Sequence, residues 1–323
     1  MTKSLNMVID VGGTNTRIAV AENTLVRVQT IMRYRNDDFP SLQSVIKRFR
    51  KETSVDTYAQ VCACIAGPVR SGKGSLTNRN WSIDEAELAV AAGAVNGEVI
   101  NDLQAQGHAL ESLGPDSLTQ VVQGNEAPEN ATRLVVGVGT GFNAAVVVPT
   151  FAGKSVPPSE AGHANLPIRN EDQLSLCQFV ETAHGFPAIE DVVSGRGLEN
   201  VYAWRSHVVG STERLSSTDI MAGVADGSNM RAVEAADLFV SMLGTVCGNL
   251  SLVHLPFGGV YLVGGMARAF APYLRDMGFT EAFRDKGRFS GFMTNFSVYI
   301  VEDDYAALAG CASHLAALGY DDK

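Results

Sequence analysis

Residues 7–21 read Met-Val-Ile-Asp-Val-Gly-Gly-Thr-Asn-Thr-Arg-Ile-Ala-Val-Ala: an apolar run, a glycine turn, and a second alternating run. That pattern is a β-hairpin whose first strand delivers Asp10 beside the turn residues Gly12, Gly13, Thr14 and Asn15. Glycines let backbone N–H groups approach phosphate oxygens, hydroxyl and amide side chains add donors, and the carboxylate suits Mg2+, directly or through water. Taken alone, the same residues also make a serviceable hairpin turn with no ligand. Residues 134–148 repeat the design, with Gly139, Thr140 and Gly141 between two apolar strands. Val260-Tyr-Leu-Val then ends in Gly264-Gly265, which lets a flat base or ribose approach the backbone. Two such hairpins and a late glycine pair, in two halves of one chain, suggest a nucleotide clasped between domains.

The rest of the chain alternates strand and helix signals, which predicts mixed α/β architecture. Residues 40–49 have helical periodicity after a proline start, and 58–66 read as a buried strand closed by Gly67-Pro68. Ser82 with Glu85 three residues on reads as a capping box before an alanine-rich helix. Residues 98–102 form a short strand whose end presents Asn101 and Asp102, two side chains that would by themselves cap the next helix. Helices are expected around 173–184, 191–202 and 231–254, strands at 260–263 and 296–301, and a final alanine-rich helix at 305–318.

Composition narrows the function classes. The 323 residues are 46% hydrophobic and 19% charged, enough for a large core divided over two domains and too apolar for general disorder. A formal charge of −10 argues against a wide basic face for nucleic acid. The uncharged stretches 134–153 and 238–267 are broken by glycine and proline, so both read as buried core and not as membrane spans. A short apolar start without a secretion pattern, and five scattered cysteines, fit a cytosolic protein with reduced, buried thiols. No zinc-ligand spacing is present. Gly67 to Gly74 approaches a nucleotide-binding lysine loop but carries Pro68, lacks Ser or Thr after Lys73, and is not followed by an apolar helix, so an exposed turn is expected. Gly137-Val-Gly139-Thr-Gly141 is no dinucleotide fingerprint, because Phe142 stands at the third glycine.

The succession Asp-x-Gly-Gly-Thr-Asn at 10–15, Ile-Asn-Asp at 100–102, Gly-Thr-Gly at 139–141, Glu-x-Gly-His at 160–163 and Gly-Gly at 264–265 resembles the bacterial ATP-dependent glucokinases over nearly the whole chain. The resemblance implies a two-domain ribonuclease H-like α/β fold, shared with actin-like ATPases and hexokinases. A small domain (1–111 with 304–323) and a large one (112–303) would then flank a cleft for MgATP and a hexose. It also implies that Asp102 is the base accepting the sugar hydroxyl's proton, and that Asn101, Glu160, His163 and Glu190 hold the sugar with it. Residues 77–81 resemble the family's sugar-side loop, without assigned roles. Glucose 6-phosphate and ADP would be the products, feeding glycolysis, and a homodimer is expected of the family.

Two departures stand out. Phe142-Asn143 replaces the usual Leu-Gly after Gly-Thr-Gly, crowding the second hairpin, and Ala161 stands where glycine is common. The second change bears on preference among glucose, an epimer and an amino sugar. The alternatives are therefore a kinase of N-acetylglucosamine or mannose, or a sugar-binding regulator without catalysis. A chaperone or filament ATPase would need no sugar residues. No repressor-type cysteine-rich zinc motif is present, and no DNA-binding helix-turn-helix is expected upstream of the first strand.

Overall fold

The computed structural model describes residues 5–76, 79–151 and 153–319. Two compact units form: residues 1–114, 150–158 and 303–323, and residues 115–149 and 159–302. No sequence signal had separated 150–158 from the segment around it.

In the first unit, β1 (Leu5–Val11) pairs antiparallel with β2 (Asn15–Glu22), which also pairs with β3 (Leu25–Val26) and β4 (Met32–Arg35). Helix α1 (Leu42–Thr53) then leads to β5 (Tyr58–Ile65), parallel to β1. A small antiparallel sheet of β6 (Val69–Arg70), β7 (Lys73–Ser75) and β8 (Ser82–Asp84) precedes α2 (Glu85–Ala92). Strand β9 (Ala94–Asn101), parallel to β5, and α3 (Asp102–Ala109) follow.

Apart from Asn6, Asp10 and Gln60, the residues of β1 and β5 are apolar because both faces of the sheet are covered. Met7, Ile9, Val61 and Ala63 pack with Val45, Ile46 and Phe49 of α1 and Leu88 of α2. On the opposite face, Val8, Cys62, Cys64 and Ile100 pack with Leu308, Cys311, Ala312 and Leu315. Those last residues belong to the C-terminal helix Ala306–Ala317, which thus completes a sheet begun some 300 residues earlier. Gly310 makes the close approach to α3 possible, since a Cβ there would lie 1.8 Å from the Ala105 carbonyl oxygen. All five cysteines are free and buried.

One local expectation moves and another holds. Helix α2 is capped by Asp84, whose carboxylate accepts from the Ala86 and Glu87 N–H groups, and not by Ser82, because residues 82–84 are drawn into the small sheet. The lysine loop is a turn of that sheet, with Ser71 and Gly72 at φ of 52° and 71°.

The second unit is built on β10 (Leu118–Val122), the hairpin β11 (Arg133–Val138) and β12 (Phe142–Thr150), and the strands Val260–Val263 and Val298–Val301. Strand 260–263 lies between β11 and 298–301 and is parallel to both. Helices α4 (Glu171–His184), α5 (Gly195–Val208), α6 (Ser217–Ala225) and α7 (Met230–His254) pack around this sheet. Helix α5 starts at Gly195 under a Ser194 cap, leaving Ile189–Asp191 as a separate 3-10 turn where the sequence had suggested one longer helix. By length and composition α7 could cross a membrane, but 61% of its most apolar window is buried within the protein, with Phe239, Leu243 and Val246 in the core.

Candidate active site

In the first unit the register sets Val11, Ile65 and Asn101 side by side at the carboxyl ends of β1, β5 and β9. Open α/β sheets bind ligands at this edge. Asp10, one residue before the end of β1, accepts from Arg17 Nη1 at 2.9 Å, and the Cys64 thiol lies 3.7 Å from its other oxygen. Burial raises the Asp10 carboxyl above the ordinary range even though Arg17 opposes that shift. Asp102 opens α3, with Oδ1 accepting its neighbour Leu103 N–H at 2.9 Å. Burial, with the Asp10 charge second, lifts the Asp102 carboxyl to about 7, against the pull of the Leu103 N–H. Both readings of Asn101 meet here: it caps α3 through Leu103 N–H, and its amide donates to the Gly67 carbonyl at 3.0 Å.

The Gly12-Gly13-Thr14 turn is held by a residue that sequence reasoning missed. Asn36 is fully buried. Its amide donates to the carbonyls of Gly12 and Gly13 at 2.8 and 3.2 Å, its own N–H donates to the Thr14 carbonyl, and its Oδ1 accepts from the Thr16 hydroxyl at 2.8 Å. Peptide planes whose carbonyls turn inward present their N–H groups outward, the arrangement that holds an anion. Gly13 and Thr14 are exposed, and Asn15 is partly so. Of the sugar-side segment, Thr77 and Asn78 lie outside the described residues. Arg79 donates to the Asn36 carbonyl, pairs with Asp37 and lies over the Trp81 ring.

In the second unit the β11–β12 turn closes through Gly139 N–H to the Gly141 carbonyl at 3.0 Å, and Gly195 N–H donates to the Gly139 carbonyl at 2.7 Å. Thr140 is exposed at its tip. Gly264, at φ 104°, runs so close that a Cβ would lie 2.6 Å from the Val138 carbonyl oxygen. Open space remains where a Cβ on Gly139 or Gly265 would sit.

The three sugar residues assigned to this unit gather beside the same turn. Phe142 N–H donates to Glu190 Oε2 at 2.8 Å, and Arg196 pairs with Glu190 Oε1 at 2.7 Å. Gly141 permits this, because a Cβ would fall 2.5 Å from Glu190 Oε2. Gly162 packs against Phe142 so tightly that a Cβ would lie 2.0 Å from its carbonyl oxygen, which explains the glycine of Glu-x-Gly-His. Glu160 and His163 are exposed and 3.9 Å apart. A cavity of about 560 Å3 is lined by His163, Glu190 and Arg196 with Phe186, Glu199 and Asn200, within the usual range for small-molecule sites.

The fit to a divalent cation follows from these contacts. Among the described residues no group of three His, Cys, Asp or Glu side chains could hold a metal. Asp10 and Asp102 are instead two partly buried carboxylates whose charges oppose each other. Such a pair suits Mg2+ carried mainly by phosphate oxygens and water, which is that ion's ordinary preference.

The architecture is the two-domain actin-like ATPase fold, and the similarity to known proteins makes the class of protein a hexose kinase. A sequence model described as glucokinase matches residues 7–318, and the chain belongs to the glucokinase family. The glucokinase of Pectobacterium atrosepticum is 32% identical over 312 residues, 96% of each chain. The crystal structure of a glucokinase from an Antarctic psychrotroph superposes with a TM-score of 0.85 at 28% identity, covering 97% of this chain and 98% of that one. A ROK family glucokinase from Streptomyces griseus, solved with glucose and AMPPNP, shares the fold at a TM-score of 0.63 and 16% identity, over 98% and 100% of the two chains.

Proposed function

We propose that this protein transfers the γ-phosphoryl group of ATP to the 6-hydroxyl of glucose, giving glucose 6-phosphate and ADP in the cytoplasm. Membership of the glucokinase family supports the substrate, and the AMPPNP held by the Streptomyces griseus enzyme supports the donor. The observation that carries the chemistry is Asp102: a carboxyl that opens α3 directly after β9, at the carboxyl edge of the sheet, lifted by burial to about 7. A base is most useful when its pKa lies near the working pH.

The attacking oxygen of the 6-hydroxyl forms a bond to the γ-phosphorus while the bond to the β–γ bridging oxygen breaks, and ADP leaves. Asp102 takes the hydroxyl proton. Asn101, Glu160, His163 and Glu190 receive the ring hydroxyls, each of which can donate and accept. The Gly12–Asn15 turn and the Gly139–Gly141 turn receive phosphate oxygens on outward N–H groups, and Gly264-Gly265 leaves room for the nucleoside. Asp10 would hold Mg2+ through water, and the ion would supply charge neutralisation at the phosphates. Phosphoryl transfer asks little covalent chemistry of a protein, so these positioning roles account for most of the rate.

A coupled assay with MgATP and a panel of glucose, mannose and N-acetylglucosamine tests the reading. Glucose should give the highest kcat/KM, and the Asp102→Asn variant should lose about 10²–10⁴-fold in turnover while still binding glucose. Wild-type turnover in that variant would remove Asp102 from its role.

A further inference from the structure

Glu160 sits in a stretch without regular structure, with its side chain more than half exposed. An isolated loop glutamate samples many conformers, and holding one costs entropy at the moment of binding. Here the backbone on both sides of it is fixed by one side chain. Asn143, the third residue after the turn tip Thr140, donates from Nδ2 to the Ser159 carbonyl at 2.6 Å. Its Oδ1 accepts from the Ala161 N–H at 2.9 Å and from its neighbour Ala144 N–H at 2.8 Å, with the Ser159 hydroxyl at 3.4 Å. The Ala161 N–H is also reached by the Ser159 hydroxyl at 3.2 Å. One carboxamide therefore bonds the residue before Glu160 and the residue after it. Phe142, next to Asn143, meanwhile holds Glu190 through its N–H and meets Gly162 at its carbonyl. The residue pair 142–143 thus touches the supports of all three sugar side chains assigned to this unit.

We propose that Asn143 is a positioning residue for the hexose site: its carboxamide clamps the peptide groups flanking Glu160 and thereby sets how Glu160 and His163 meet the sugar. This rests on the hexose kinase reading above. Asn143 itself touches neither substrate; it acts by holding Glu160 ready, so its loss weakens sugar capture and discrimination more than nucleotide use.

The test compares wild-type protein with Asn143→Ala and Asn143→Asp in two-substrate kinetics, with direct glucose binding by calorimetry in the absence of nucleotide. In Asn143→Ala the glucose KM and Kd should rise about 10–100-fold, the MgATP KM should stay within about twofold, and the preference for glucose over mannose should shrink. Asn143→Asp keeps the acceptor for Ala161 but sets a carboxylate oxygen against the Ser159 carbonyl. It should fall between the other two and carries the comparison if the alanine variant does not fold. A lower melting temperature or lower kcat with unchanged glucose KM and unchanged hexose preference overturns the proposal, since that is the mark of a purely structural bond. Wild-type protein that neither binds nor phosphorylates any hexose overturns the functional reading itself, a result separable from the first.

Discussion

Asp10 and Arg17 are register partners across the first hairpin, and the Arg17 guanidinium lies 2.9 Å from the Asp10 carboxylate. Both side chains are less than a third exposed, so neither charge is well solvated without the other. Arg17→Met should destabilise the protein by about 1–3 kcal/mol, because it strands a partly buried carboxylate. Thermal denaturation of the two single variants and of the Asp10→Asn/Arg17→Met double variant measures this. The double variant should lose less than the sum of the single losses. Additive losses would mean that the pair is not coupled.

Asp102 gives the protein two opposed pH responses. In the proposed role of base it must be ionised, so kcat/KM for glucose should climb as pH rises through about 7 and level off above it. Stability runs the other way. A carboxyl whose folded value lies above its ordinary 3.8 contributes most below that value and loses the contribution as pH rises toward 7. Asp102→Asn should therefore melt higher than wild type above pH 7, with the gap closing toward pH 4. Melting curves across that range check the sign, and a variant that melts lower at pH 8 contradicts it.

Asn36 holds three carbonyls of the Gly12–Thr14 turn, the proposed first phosphate site. Replacing it with alanine keeps the backbone bond to Thr14 but frees the Gly12 and Gly13 carbonyls to rotate outward, where they would face phosphate oxygens with like charge. The expected outcome is a MgATP KM raised about tenfold with the glucose KM nearly unchanged, the mirror image of the split expected for Asn143. Steady-state kinetics with each substrate varied in turn distinguishes the two.

Gly141 is required by contact, since its φ is ordinary and its neighbour is a carboxylate. Gly141→Ala drives a methyl group to within 2.5 Å of Glu190 Oε2, so Glu190 must leave the Phe142 N–H. Glucose kcat/KM should fall by about 10²-fold, and a crystal structure of the variant should show Glu190 displaced.

The sequence carried the parts of this site that local pattern can encode. Both hairpins, the strand ending at Asn101 and the long helix α7 follow from period-two and helical patterns. The Asp10–Arg17 pair goes beyond that reading and comes from the register across the three-residue turn. The cap of α2 was misplaced because Ser82 belongs to a strand whose partner, β7, comes earlier in the chain. Asn36, Asn143 and Arg196 were invisible for a related reason. Asn36 and Asn143 bond backbone groups 16 to 24 residues away, and Arg196 meets Glu190 across the start of α5. Such contacts leave no periodic trace.

The C-terminal helix has a consequence for biosynthesis. The face of the first sheet bearing Val8, Cys62 and Ile100 is covered by residues 308–315, with the Cys311 thiol 3.7 Å from the Ile9 carbonyl. While the ribosome is still making the intervening two hundred residues, roughly ten to forty seconds of translation at ordinary bacterial speed, that face has only Ala105 of α3 and the flanking Val26 and Ile31 against it. The nascent amino-terminal third is thus a sticky, largely one-sided sheet awaiting its lid, and holdase chaperones in the cell would meet it in that form.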